Sequence, residues 1–259
     1  MSKIVHCIAT MYRTDASFTS QMGLTAPALV VNQCQREELE LLTLPNGVPV
    51  RMLSGKERGL SNSRNLALES AQGEICLLAD DDIRYLEGYK ELVLAAYERH
   101  PDADIICFKL ATDKSYAKKP SRMGYLRSMR IMSDEISFKR QSLLEAGVRF
   151  NPLFGAGARY PSGEENILLF RCLDKGLRIY YEPVTIAALT EERESTWFKG
   201  YDEEFFKQKG AVFAELSRRF AFWLALQFAI RKRGLYKGSF STKQVLGFML
   251  EGIRELRKV

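Results

Sequence analysis

Only two histidines, His6 and His100, occur in 259 residues. A histidine-based triad or a histidine-rich metal centre is therefore disfavoured, and each is better explained as a strand or loop residue. The five cysteines, Cys7, Cys34, Cys76, Cys107 and Cys172, include no Cys-x-x-Cys pair. That spacing argues against a zinc site and against a disulfide framework. Four sit in apolar runs and read as buried small hydrophobes in a reducing compartment. No window reaches the ~18–20 apolar residues of a membrane span. Met1-Ser2-Lys3 runs straight into Ile4–Ala9, too short for a secretory signal, so the expectation is a cytoplasmic protein. Neither Gly-x-Gly-x-x-Gly nor a P-loop pattern occurs, which argues against dinucleotide and P-loop folds.

The length suits one large domain, or one domain with an appendage. The net charge of +6 conceals an asymmetry: from Phe205 onward twelve Lys/Arg face three Asp/Glu, leaving +9 there and −3 on residues 1–204. Basicity confined to the tail is no general nucleic-acid footprint, and none is expected as a partner.

What the sequence does contain centres on Ile75–Ala79, a short apolar run followed by Asp80, Asp81 and Asp82. A buried strand ending in carboxylates brings negative charge to the carboxyl edge of a sheet, where open α/β sheets bind ligands. Adjacent carboxylates repel, and a divalent cation with hard oxygen ligands would offset them. A solvated acidic turn or a helix cap is the alternative. Before this run, Gly59-Leu60-Ser61-Asn62 opens a helix reaching about Ala71, with Ser61 or Asn62 as cap. Arg64 falls in its first turn, beside free amides that suit a diphosphate; an exposed surface arginine is the plainer reading. Far downstream, Gly163-Glu164-Glu165 precedes the apolar run Ile167–Leu173. Ser162 there is a cap candidate with Glu165 in the capping-box position. Alternatively Glu165 faces a site as a general base.

Strands at 3–10, 28–31, 48–53, 74–79 and 103–110 alternate with helices at 61–71 and 88–100, the latter turning Leu92, Val93, Ala96 and Tyr97 inward. That alternation predicts a mostly parallel sheet covered on both faces. Glu37–Leu42 reads as a helical turn. Residues 112–134, polar and poorly periodic, read as a functional loop or lid. Short elements follow, a strand at Glu135–Phe138 and a helix at Arg140–Ala146, and Gly176–Pro183 reads as a strand ending at proline. The tail reads as a long helix over Glu203–Arg233, with Val212, Phe213, Leu216, Phe220, Trp223, Leu224 and Phe228 on one face, and a second over Lys243–Val259. It is either a hairpin packed on the main domain or an interfacial anchor whose Lys/Arg meet anionic headgroups.

Together these residues resemble a family 2 glycosyltransferase of the GT-A fold, over roughly residues 3–200. The carriers are Gly59-Leu60-Ser61, Arg64-Asn65, Ala71-Gln72-Gly73-Glu74-Ile75 and Asp80-Asp81-Asp82, then Phe154-Gly155-Ala156-Gly157 and Gly163-Glu164-Glu165. The resemblance implies an α/β GT-A domain at 1–201, with a nucleotide-sugar-binding half at 1–111 and an acceptor and catalytic half at 112–201, plus an amphipathic helical region at 202–259. It implies an inverting transferase with a nucleotide-diphosphate sugar donor, UDP in the first instance, and Mg²⁺ or Mn²⁺. Asp82 would bind the metal, Asp80 the metal or ribose, and Thr10, Asn32, Arg64 and Asp81 would line the donor site. In a second reading Asp81 is only the spacer, pointing away or capping the next segment. Glu165 matches the base, with Glu164 before it. The acceptor would be a glycan or lipid-linked hydroxyl in bacterial surface polysaccharide synthesis, with residues 205–259 against an anionic membrane on the inner face.

Four positions depart from the family pattern. At 165 a Glu stands where the family carries Asp, which lengthens the base by one methylene. Ala9-Thr10-Met11-Tyr12 stands where P-x-Y-N is usual, Asn32-Gln33-Cys34-Gln35 replaces D-D-x-S, and Ala188-Leu189-Thr190-Glu191 lacks the third, histidine ligand. A catalytically degenerate scaffold that holds a nucleotide is the alternative they leave open. A nucleotidyltransferase is disfavoured, because Met11–Ser17 offers no glycine-rich basic loop.

Overall fold

The computed structural model describes residues 3–190 and 200–258. Its strands are β1 (Ile4–Met11), β2 (Ala28–Gln33), β3 (Glu38–Thr43), β4 (Pro49–Gly55), β5 (Ile75–Asp80), β6 (Ile83–Tyr85), β7 (Ile105–Ala111), β8 (Ser121–Met123), β9 (Ile136–Lys139) and β10 (Ile179–Leu189). The helices are α1 (Leu60–Ser70), α2 (Tyr89–Arg99), α3 (Tyr125–Ser128), α4 (Arg140–Glu145), α5 (Glu164–Asp174), α6 (Glu203–Leu216), α7 (Ala221–Arg231) and α8 (Thr242–Leu256). One sheet runs in the order β3-β4-β2-β1-β5-β9-β7-β10-β6, with β8 beside β10. β4, β2, β1 and β5 are mutually parallel, as are β7 and β10, while β9 is antiparallel between β5 and β7.

Alternation along the strands builds two cores. In β1, Ile4 and Ile8 point to a layer with Val30, Leu77 and Phe108 under α2. Val5 and Cys7 point to the opposite layer with Leu29, Cys76 and Leu168 under α1, α4 and α5. Cover on both faces is why β2 is buried at every residue rather than at every other one. All five thiols are buried and unbridged.

Several expectations are corrected. Residues 38–43 form a strand: Glu38-Leu39-Glu40-Leu41 alternates with period two and pairs antiparallel to β4 at the sheet edge. β10 does not stop at Pro183. It continues to Leu189 through register shifts after Tyr181, the bulged setting in which a strand tolerates proline. Leu92 is exposed, and Tyr89 takes the inward place beside Val93, Ala96 and Tyr97. The expected lid is anchored: β8 pairs with β10, and the buried Glu135 carboxylate accepts from Lys114 Nζ at 2.6 and 2.7 Å and from the Tyr116 hydroxyl at 2.6 Å.

The long tail helix is broken at Ser217–Phe220. α6 and α8 pack antiparallel at backbone contact, because a Cβ on Gly210 would lie 2.0 Å from Met249 O and one on Gly252 1.8 Å from Lys207 O. Phe206, Val212, Phe213, Val245, Met249 and Ile253 then close on Ile167 and Phe170 of α5 and on Phe154 and Tyr160. Each such side chain contributes about 1.5–3 kcal/mol by leaving water. α7 joins through the buried Ala221, Ala225 and Ala229, with Leu224 and Phe228 partly buried against the same core and the Phe228 ring 5.8 Å from that of Phe213. Phe220, Trp223 and Ile230, the first two expected inward, are exposed.

Candidate active site

β1, β2 and β5 end side by side, pairing Thr10 with Asn32 and Ala9 with Asp80. α1 starts above this edge. Its first turn is capped by Gly59 at φ 100°, a conformation side-chain-bearing residues rarely adopt, rather than by Ser61 or Asn62. Ser61 is instead buried and donates to Phe154 O at 2.6 Å, while Leu60 N donates to Ala156 O at 2.9 Å. Those two bonds fasten residues 154–156 to the start of α1.

Arg64 is the electrostatic centre. Its side chain is 1% exposed, and its two terminal nitrogens fork to Glu164 Oε1 at 2.9 Å and Asp80 Oδ1 at 3.0 Å. Burial opposes its charge, but Asp80, Glu164, Asp134 and Glu165 together raise its pKa. A buried guanidinium without such partners would cost several kcal/mol. Sequence spacing joins Arg64 to Asp80 through adjacent elements; only the fold joins it to Glu164, a hundred residues away.

Asp81 faces inward, not away. The strand ends at Asp80, so alternation no longer governs Asp81, and the turn swings it to β1. There it accepts from Thr10 Oγ1 at 2.6 Å and from Arg13 Nε and a terminal nitrogen at 3.1 and 2.8 Å. Asn32 donates to Arg13 O at 2.9 Å and Ser54 Oγ at 3.0 Å and accepts from Arg13 N at 3.1 Å. Its reach toward any ligand therefore runs through the β1 exit loop that it holds. On that loop Tyr12 is exposed at φ 55°, a strained value for a tyrosine. The Asp82 carbonyl accepts from Thr190 N at 2.8 Å, tying the acidic turn to the end of β10. Residue 191, part of the stretch expected to lack a third ligand, lies outside the described residues.

Three participants escaped the sequence. Arg13 holds Asp81. Asp134, buried beside the turn, accepts from Asp80 N at 2.8 Å. Burial first, then the Asp80 charge, push its carboxyl well above the ordinary range. The signal for Asp134 was an acidic pair, Asp134-Glu135, entering a strand. Lys209 on α6 is the third: it and Glu165 lie within each other's field.

Glu165 sits in the first turn of α5, half-buried. The helix starts at Gly163 (φ 90°) with no side-chain cap hydrogen bond, so the Ser162–Glu165 capping box does not form. Burial, and next the Glu164 charge, push its carboxyl up from 4.5 to about 8, against the pull of Arg64 and Lys209. Its neighbour Asn166 donates to Ser128 O and Ile131 O. A cavity of about 320 Å³ opens in that same 112–134 segment, lined by Tyr116, Met123, Arg127, Arg130 and Tyr181 among others.

An acid–arginine–acid cluster with a buried arginine thus occupies the carboxyl edge of the sheet's parallel strands, with a carboxyl of raised pKa next to it. The profile of glycosyl transferase family 2 matches residues 30–159, half of the chain, including Arg64 and Asp80–Asp82. The chain belongs to glycosyl transferase family 2. Thr10 and Glu164–Glu165 lie outside the matched stretch. Sequence comparison with curated proteins finds no match. Among solved structures, the chain is similar to S. aureus TarS 1-349 in complex with UDP-GlcNAc, with a TM-score of 0.66 and 16% identity over 97% of this chain and 81% of that one. For TarS 1-349 in complex with UDP the values are 0.61 and 15%, over 98% and 81%. For the longer TarS chain they are 0.63 and 15%, over 98% of this chain and 50% of that one. At such identities the likeness shows the fold, the mixed α/β GT-A architecture with helices after it.

The family commonly works with a divalent metal. Among the described residues no group of three or more His, Cys, Asp or Glu side chains is placed to hold one. The donor chemistry still fits Mg²⁺ or Mn²⁺ in a smaller set. Asp80 and Asp82 are partly exposed, and both push the Asp134 carboxyl upward, a sign of negative charge gathered at this edge. One or two carboxylates with substrate phosphates and water suffice for Mg²⁺.

Proposed function

We propose that this family 2 enzyme transfers a sugar, with inversion, from a nucleotide-diphosphate donor to a hydroxyl of a glycan or lipid-linked acceptor in bacterial surface polysaccharide synthesis. UDP is the favoured nucleotide, since the similar TarS structures hold UDP-GlcNAc and UDP. The carrying observation is the Arg64 fork, which couples the Asp80 edge to the Glu164–Glu165 helix start through one buried cation.

In this reading the diphosphate lies over the β1–β5 edge and is met by Arg13, which Asp81 holds together with Thr10, with Asn32 holding the loop and Tyr12 offering its exposed ring to the base. Arg64 keeps Asp80 and Glu164 in place. Asp80 and Asp82 would hold the metal, which supplies Lewis-acid stabilisation of the departing diphosphate. Glu165 accepts the proton of the acceptor hydroxyl. The oxygen forms the new bond to the anomeric carbon as the bond to the diphosphate breaks on the opposite face, which inverts the centre. The cavity lined by Ile131, whose carbonyl Asn166 holds, is read as the acceptor side. With a panel of UDP-sugars and Mn²⁺, Glu165→Gln should lose ~10²–10⁴-fold in kcat with donor binding unchanged. Full transfer by that variant would remove Glu165 as base, and donor binding without turnover by wild type would favour the degenerate scaffold.

The setting we infer is the anionic inner face of the membrane. No described helix is long and apolar enough to cross one. α6 and α8 spend their apolar faces on each other and on α5, which leaves α7 as the contact. Trp223 and Ile230, 61% and 60% exposed, lie two turns apart on its outer face, with Phe220 and Phe222 alongside. Arg218, Arg219, Arg231, Lys232 and Arg233, all exposed, bracket them. Aromatic and apolar residues framed by cations match an anionic bilayer interface. In vesicle flotation, Phe222→Ser with Trp223→Ser should abolish binding to anionic vesicles. Undiminished binding would remove this surface, and self-association of wild type in place of flotation would assign it to a second copy.

A further inference from the structure

Charge around Glu165 does not balance without the C-terminal region. Glu164, Glu165 and Asp80 gather near Arg64, whose two terminal nitrogens are already bonded to Glu164 and Asp80. Among the described residues, Glu165 forms no direct ion pair. A half-buried base beside a second carboxylate is biased toward its neutral acid, the wrong form for taking a proton.

α6 brings the next cation. It packs against the start of α5 so closely that a Cβ on Gly163 would lie 2.9 Å from both Val212 γ-carbons. Lys209 is one turn before Val212 on the same side of α6. Its stem is half-buried and its ammonium lies 5.9 Å from the Phe213 ring centre. It forms no ion pair of its own among the described residues. Its neighbour Lys207 does form such pairs, bonding Glu203 and Glu251 on the outer side of the helix.

We propose that Lys209 is a positioning residue for Glu165: across the α5–α6 contact its ammonium favours release of that carboxyl's proton and so enlarges the ionised fraction that can take the proton of the acceptor hydroxyl. This rests on Glu165 being the base. The groups acting on Glu165 are Glu164 on α5, Arg64 on α1 and Lys209 on α6. Burial in turn pulls Lys209 downward, Glu165 supports its charge, and Lys232 at the end of α7 opposes it. The C-terminal helices thereby complete the catalytic site.

Two readouts test this. In Lys209→Met the acidic limb of kcat/KM should move up by about one pH unit, with a several-fold loss at neutral pH, recovery in alkaline buffer and unchanged donor binding. Lys209→Arg should restore the wild-type profile. Independently of turnover, ¹³C NMR should show the Glu165 carboxyl, assigned by its loss in Glu165→Gln, titrating higher in Lys209→Met. Lys209→Gln repeats both measurements should the methionine variant fold poorly. A titration and a profile that superimpose on wild type would overturn the proposal, as would a loss in kcat equal at every pH. A shifted titration with full transfer by Glu165→Gln would keep the Lys209 contact and discard the base.

Discussion

The sheet edge and helix α7 break opposite rules. Around Arg64 the chain buries charge, an arginine among four carboxyl groups. On α7 it exposes apolar surface, Trp223 and Ile230, while burying only alanines. Desolvation penalises the first and water penalises the second. The edge offsets its cost internally, through the Arg64 fork and the Asp81–Arg13–Thr10 contacts. Trp223 and Ile230 on α7 have no such compensation among the described residues. In the proposed reading the difference separates a site prepared before its ligand arrives from a surface completed only by a membrane.

Mutation and pH probe each side of this contrast, beginning with the largest effect. Arg64→Met should be the most damaging change, about 3–5 kcal/mol of stability, because it strands Asp80 and Glu164 beside Asp134. A thermal shift of only a few degrees would show that the cluster is not internally compensated as described. The pH dependence of stability comes next. Glu165 titrates at about 8 in the folded chain against an ordinary 4.5. The folded state thus holds a proton that the unfolded state releases. Its contribution is complete below about pH 4.5 and is lost as pH rises through 8. Glu165→Gln should therefore flatten the decline in Tm between about pH 5 and pH 8, and an unchanged slope would contradict the burial of this carboxyl. The smallest effect is expected on α7: Phe222→Ser with Trp223→Ser should alter stability by less than ~0.5 kcal/mol while removing vesicle binding. A large drop in Tm would mean that α7 packs more firmly than its alanine face indicates.

Much of the fold was legible because strands and helices announce themselves by period. The buried runs at β1, β2, β5 and β7, and α1 before the acidic turn, follow from local pattern. Asp80–Asp82, Arg64 and Glu164–Glu165 were visible as motifs. β3 was misread because six residues with two glutamates suit a helical turn as well as an edge strand. The capping box at Ser162 was misread because Gly163 can take φ 90° and start the helix one residue later. Phe220 and Trp223 share a helical face with Leu216 only if the helix is continuous, and the break at Ser217–Phe220 rotates α7 away from that register. Arg13, Asp134 and Lys209 carried little signal of their own, since a lone charged residue in a loop or basic helix looks like any solvated one.

By itself, then, the sequence determined the alternation of elements, the parallel sheet and the carboxylates at its edge, because these depend on neighbours within a few residues. The tertiary structure alone decided which charges meet. Arg64 reaches Glu164 across a hundred positions, and Lys209 comes within the field of Glu165 across forty-four. Such pairings follow from where packed helices place their ends, and α6 is placed by contacts as distant as Gly210 with Met249 and Val212 with Gly163.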